Sequence, residues 1–107
     1  MDWKKVKIEV FVPESHLDSV RSALVRAGAG RVGDYDHCFS VMPVTGTWRP
    51  LDSAQPYDGR VGEISEGSEC KLETSCPFEL VEEAVAATRQ AHPYEEPVIN
   101  IIPLFTE

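Results

Sequence analysis

The sequence predicts an α/β chain of the α+β kind, a two-layer sandwich whose elements follow one another as β-α-β-β-α-β. Three observations carry that prediction. An alternating β-branched run lies near the N-terminus, an amphipathic helix pattern follows it behind a proline, and the same unit returns sixty-four residues later.

The first strand is the alternation itself. Val6, Ile8, Val10 and Val12 share one face, and Lys7, Glu9 and Phe11 share the other; period two with β-branched residues is a half-buried strand. Pro13 stops it, and Ser15 is expected to cap a helix. Leu17, Val20, Leu24 and Ala27 then recur at helical spacing until Gly28, which suits the left-handed position beyond a helix end. The second unit lies over the first. In "KIEVFVPESHLDSVRSALVRA" from Lys7 and "KLETSCPFELVEEAVAATRQA" from Lys71, the pairs Lys7/Lys71, Glu9/Glu73, Pro13/Pro77, Ala23/Ala87 and Ala27/Ala91 are identical.

Each unit leads into a further strand. "CFSVMPVTG" follows the first helix and "PVINIIPLF" the second, with Pro97 as the strand's first residue and Pro103 at a position that suits an edge. The order is that of a ferredoxin-like split βαβ domain spanning residues 1–107. Between the middle strands, residues 46–69, "GTWRPLDSAQPYDGRVGEISEGSE", are rich in turn formers and too long for a tight hairpin.

Composition bounds the function. A chain of 107 residues with 42% hydrophobic and 26% charged residues is that of an ordinary globular domain. No apolar run of signal-peptide or membrane-span length opens it, so a cytoplasmic location is expected, with no membrane partner. Cys38, Cys70 and Cys76 have neither the number nor the spacing of a disulfide framework or a zinc ribbon. The net charge is −8, and residues 52–107 hold twelve of the eighteen acids. That surface repels phosphate backbones, so nucleic acid is not an expected partner.

Several motifs reduce to structure. "GAGRVG", Gly28 to Gly33, has dinucleotide-fingerprint spacing but closes a helix instead of opening one, and reads as a cap and turn. "DYDHC", residues 34–38, offers Asp34, Asp36, His37 and Cys38, but neighbouring extended residues point to opposite faces, so at most two can share a site locally. It reads as a polar turn entering a strand, with a metal site as the lesser alternative. No nucleophile elbow is present.

"HPYEEP", residues 92–97, is denser in chemistry. Pro93 disfavours helical geometry at His92 and ends the second helix there. Tyr94, Glu95 and Glu96 are then held between two prolines. The topology places this segment at the same end of the sheet as the 46–69 loop, Glu14 and His16, and places "DYDHC" at the other end. His37 can join Glu95 or Glu96 only across a subunit interface. Trp48, Arg49, Tyr57 and Arg60 share the glutamates' end. Arg49 facing a carboxylate gives either a polar pocket with aromatic walls or a salt-bridged loop clamp. The candidate ligand-binding residues are therefore Arg49, Tyr94, Glu95 and Glu96. His92 with Glu95 or Glu96 offers nitrogen and oxygen ligands suited to zinc or copper. If the last strand already begins at these residues, alternation would point only one of the two glutamates into the site.

At these residues the chain resembles a known family. "VFVPESH", "GAGRVGDYDHCFS", "GTWRP" and "AHPYEEPVINIIPL" are similar to the insert domain of YqfO-type proteins, the family of the NGG-one-interacting factor three. "HPYEEP" is also similar to the H-P-Y-E-x-P of CutA, a trimeric ferredoxin-like protein implicated in divalent cation tolerance; Glu96 stands where CutA usually has an apolar residue. The resemblance implies a free-standing PII/CutA-like domain without the dinuclear metal centre, which in the full-length proteins belongs to flanking domains. It also implies a homo-oligomer, trimer or dimer, that covers the sheet edges. Two functions of different class follow: a non-catalytic regulatory module that binds a small ligand or divalent metal, and, as the alternative, a metal-dependent hydrolase related to the full-length proteins.

Overall fold

Strand β1 (Lys5–Val12) carries the core on one face. Val6, Ile8, Val10 and Val12 are all at most 1% exposed; burying each such side chain contributes roughly 1.5–3 kcal/mol. The computed structural model describes residues 4–105. In it β1 lies inside a four-stranded antiparallel sheet of order β2-β3-β1-β4, with β2 at Phe39–Trp48, β3 at Ser65–Pro77 and β4 at Ile99–Leu104. Helices α1 (Leu17–Arg26) and α2 (Val81–Ala91) seal the apolar face with Val20, Leu24 and Ala84. This is the predicted β-α-β-β-α-β sandwich. Both edge strands carry a proline, Pro43 in β2 and Pro103 in β4, where a missing amide is tolerated and strand addition is discouraged.

The two units coincide in detail. Pro13 and Pro77 each lead into a 3-10 turn, Glu14–His16 and Phe78–Leu80, and then into a helix. Because β1 and β3 are antiparallel, the repeated residues meet at the centre of the open face, with Glu9 directly opposite Glu73. Like charges opposite one another are unfavourable, and the repeated lysines offset them. Lys7 Nζ lies 3.1 Å from Glu9 and 3.5 Å from Glu73; Lys71 Nζ lies 3.5 and 3.1 Å from the same carboxylates. The hydrogen bond from Lys7 is the main reason the Glu9 carboxyl is held down at about 2.

Ser15 does not cap α1. Neither helix has a side-chain cap; the turn before α1 ties His16 N–H to the Pro13 carbonyl at 2.9 Å, and Ser15 Oγ lies 2.9 Å from His16 Nδ1. At the other end of α1, Gly28 adopts φ +100°. The amides of Gly28 and Ala29 reach back to the carbonyls of Val25 and Leu24, both at 3.0 Å, the paired bonds of a left-handed helix stop. Helix α2 stops differently, with His92 extended at φ −88°, ψ 135° before Pro93.

Two boundaries differ from the sequence expectation. The last strand begins at Ile99, not Pro97. The expected loop of residues 46–69 shrinks to 49–64, because Gly46–Trp48 and Ser65–Glu69 continue the β2–β3 pairing. Since β1 ends with Val12 opposite Cys70, those last five pairs run past it as a free two-stranded ribbon about 17 Å long at the usual rise per residue. Among the described residues no helix is long and apolar enough to cross a membrane.

Candidate functional site

The space beside the ribbon, beyond the end of β1, is where the site lies. The ribbon forms one wall, the 49–64 loop a second, and Tyr94 to Val98 the third. Together they enclose a cavity of about 310 Å³ lined by the rings of Trp48, Tyr57 and Tyr94 and by the carboxylate residues Asp58, Glu69, Glu95 and Glu96.

His92 sets the position of the third wall. It is 7% exposed. Its Nε2 lies 2.7 Å from the Phe11 carbonyl, which makes Nε2 the donor, and Nδ1 accepts the Tyr94 amide at 3.2 Å. Burial lowers its pKa, only partly opposed by the Phe11 carbonyl, so the ring is held neutral. The backbone of β1 is thereby tied to the start of the glutamate segment. His92 also meets Tyr94 ring to ring at 4.6 Å, Tyr94 meets Tyr57 at 5.8 Å, and Tyr57 meets His16 edge-on at 6.0 Å. Helix α1's leading turn, the loop and the "HPYEEP" segment are thus joined by a run of four rings.

Two of the lining carboxylates, Glu69 and Glu95, act as fasteners. Tyr94 donates its hydroxyl to Glu69 at 2.9 Å; burial, and then that carboxylate, push the phenol pKa up, so it stays a donor. The amide of Gln55 donates to Glu95 at 2.7 Å, closing the loop over the pocket. Trp48 Nε1–H donates to the Asp58 carbonyl at 2.9 Å.

Arg49 lines the cavity but makes no ion pair within 4 Å among the described residues. The salt-bridged clamp is therefore not what fastens the loop; the Gln55 amide does that. Arg60 does not line the cavity. Both Glu95 and Glu96 do, contrary to the alternation argument, because the strand has not begun at those residues and alternation does not yet apply. His37 is far off in the sheet: it precedes Phe39, which pairs with Thr74, whereas Trp48 at the ribbon tip pairs with Ser65. Its Nδ1 contacts Asp36 at 2.9 Å.

As they stand, these residues do not fit a metal ion. Among the described residues no three His, Cys, Asp or Glu side chains converge on one point, and both nitrogens of His92 already have partners. Asp58 and Glu69 are the carboxylate residues of the site that sequence reasoning missed, and for Glu69 the sequence held a signal. The signal was the glycine pair Gly46 and Gly67, which face each other across the ribbon. A Cβ at Gly46 would collide with the Glu69 carboxylate, and one at Gly67 would press on the Trp48 ring at 3.2 Å.

Comparison with known proteins supports the resemblance. No family model matches the chain. It is 42% identical over 101 residues to the GTP cyclohydrolase 1 type 2 homolog of Halalkalibacterium halodurans, covering 94% of this chain and 27% of that protein. The protein of the same name from Bacillus subtilis is 40% identical over 98 residues, covering 92% and 26%. The chain thus spans about a quarter of the length of the curated relatives it matches. The crystal structure of a Bacillus cereus protein related to NIF3 superposes with a TM-score of 0.84 at 36% identity, over 97% of this chain and 26% of that one. The divalent ion tolerance protein CutA1 of Ehrlichia chaffeensis superposes with a TM-score of 0.72 at 16% identity, over 100% and 87%, which shows a shared fold. The chain is a homologue of one quarter-length segment of the NIF3-related GTP cyclohydrolase 1 type 2 homologs, and it has the CutA-like fold.

Proposed function

We propose that this domain is a non-catalytic, regulatory binding module whose small ligand sits between the ribbon and the "HPYEEP" segment. The observation that carries this is the convergence of three separate stretches on one concave, ring-walled cavity. Concave sites with apolar walls and a few convergent polar groups are the usual form of small-molecule sites. Arg49, which has no ion partner among the described residues, and Glu96 are the groups left to meet a ligand, beside Tyr94 and Glu95. Ligand binding there would bear on the Gln55–Glu95 bond and so on the position of the 49–64 loop, which is a means of signalling occupancy.

The test is a fragment screen followed by amide shifts of isotopically labelled protein. Fragments are expected to move Gln55, Tyr94 and the Trp48 indole N–H together. A screen in which no fragment moves those signals would sink the proposal. Two competing readings are decided alongside it. The names of the longer relatives favour a hydrolase, and turnover of GTP by this chain would put that reading first. A divalent metal at His92 with Glu95 or Glu96 would need the Tyr94 amide displaced from Nδ1; tight zinc or copper binding by calorimetry, lost on Glu95→Gln or Glu96→Gln, would establish it.

We also propose a homo-oligomer, dimer or trimer, working in the cytoplasm. The edge strand β4 exposes Ile102, and self-association would cover that edge. Light scattering at micromolar concentration is expected to show more than the monomer mass; a monomer alone would refute it.

A further inference from the structure

Resting on the pocket reading above, we infer that the ligand is a small organic cation, an amine or amidine with an apolar body. The carboxylate residues Asp58, Glu69, Glu95 and Glu96 line the cavity against the single guanidinium of Arg49. Glu69 and Glu95 each have one recorded donor, from Tyr94 and Gln55, and a carboxylate accepts up to about four hydrogen bonds. Acceptor capacity facing the cavity therefore exceeds donor capacity, and the missing partners are N–H donors. An anion drawn to Arg49 would have to settle among those carboxylates, where a single opposite charge does not offset the repulsion.

The walls narrow the class further. Trp48, Tyr57 and Tyr94 present rings, and Pro50, Pro56 and Val98 add apolar surface. A bare divalent ion would leave that surface unused, and its oxygen or nitrogen ligands do not converge here. An organic cation uses both features at once: its charge is attracted to ring faces as well as to carboxylates, and its body fills the apolar part. The cavity, about 310 Å³, is at the small end of the range of roughly 300–1,000 Å³ for ligand sites. That suits a compact molecule.

Three probes of one shape separate charge from shape: benzylamine, benzyl alcohol and benzoate. Titrated into labelled protein, benzylamine is expected to move the Gln55 amide and the Trp48 indole N–H, and to bind at least about tenfold more tightly than benzyl alcohol, the factor that about 1.4 kcal/mol of charge recognition supplies. Benzoate is expected not to bind. The double variant Glu95→Gln, Glu96→Gln changes two exposed side chains and keeps their shape; it should lose most of the benzylamine preference while benzyl alcohol is unaffected. Raising the salt to about 0.5 M should weaken benzylamine alone, since screening acts on charge. Benzoate binding more tightly than benzylamine would overturn the inference and leave the pocket standing as an anion site read by Arg49. Equal binding of benzylamine and benzyl alcohol would overturn it in favour of a neutral ligand. Silence from all three probes at millimolar concentration, in a protein whose pocket signals respond to other fragments, would overturn the cation class alone; silence from every fragment would take the pocket reading with it.

Discussion

The two strand–helix units match element for element as far as Ala27 and Ala91, and there they part. Ala27 and Ala91 correspond, and the next position is Gly28 in one unit and His92 in the other. Gly28 turns left-handed and folds the chain back on the helix end. In residues 28–38, Val32 and Tyr35 then bridge by two bonds of 2.9 Å and His37 meets its neighbour Asp36, while Gly30 N–H donates to the Ser75 carbonyl at 2.9 Å and Thr74 Oγ1 to the Cys38 carbonyl at 2.8 Å, which ties the segment to β3. His92, followed by a proline, stays extended and goes into the protein instead. One terminator closes an end of the molecule, and the other carries Tyr94, Glu95 and Glu96 to a cavity. The same supersecondary unit yields a plain corner or a candidate site according to which way its helix stops. The two histidine-bearing segments have similar composition and opposite fates for this reason.

The largest effect is expected from His92→Ala. The change would orphan the Phe11 carbonyl and the Tyr94 amide, each unsatisfied buried group costing about 1–3 kcal/mol, so a loss of about 2–4 kcal/mol is expected in urea unfolding. His37→Ala, at an exposed position, should stay within about 0.5 kcal/mol. The pH dependence sharpens the pair. His92 has its folded pKa lowered by burial, so below the ordinary histidine value the unfolded chain takes up a proton that the folded one refuses. Its share of stability is intact above about pH 6.5 and is lost as the pH falls from there towards the depressed folded value. The variant should lose that slope, and His37→Ala should leave in place the part that His92 contributes. Equal costs for the two histidines would break the comparison.

Much of this architecture was legible because it rests on local rules. Period two in β1, helical period in α1 and α2, and the two stops at Gly28 and Pro93 need only neighbouring residues. The charge quartet follows from the repeat only through the register of β1 on β3, which sets Glu9 opposite Glu73. What stayed hidden depends on register between distant segments. The ribbon was read as loop because Gly46, Gly67 and the charged residues around them lack strand patterning. Its pairing is held by the β2–β3 register, which brings Gly46 opposite Gly67 and makes room for Glu69 and Trp48. Arg49 lines the same cavity as the glutamates, but its partner was a guess about side-chain reach, and among the described residues no carboxylate lies within ion-pair distance. Opposite directions for Glu95 and Glu96 were expected only if the strand already began there, and it starts at Ile99.

A smaller effect separates the two reasons for glycine at the first stop. Gly28 has φ +100°, and a Cβ there would lie 2.5 Å from Leu80 Cδ1, a side chain that leads into α2. Gly33 also has positive φ, +56°, but a Cβ there would meet nothing within 4 Å. Gly33→Ala therefore reports the backbone cost alone, about 1 kcal/mol for an alanine in the left-handed region. Gly28→Ala should cost more, about 1–2 kcal/mol by the backbone and overpacking together, with the excess over Gly33→Ala measuring the contact between the end of α1 and the start of α2. Thermal unfolding of both variants beside wild type reads the difference. In the double variant Gly28→Ala, Leu80→Ala, the Leu80 truncation removes the clash, and the alanine at 28 should add only the Gly33-like cost. If Gly28→Ala costs no more than Gly33→Ala in the wild-type background, the first stop is held by backbone conformation alone. The two units would then be joined at that end by nothing that depends on Gly28's missing side chain.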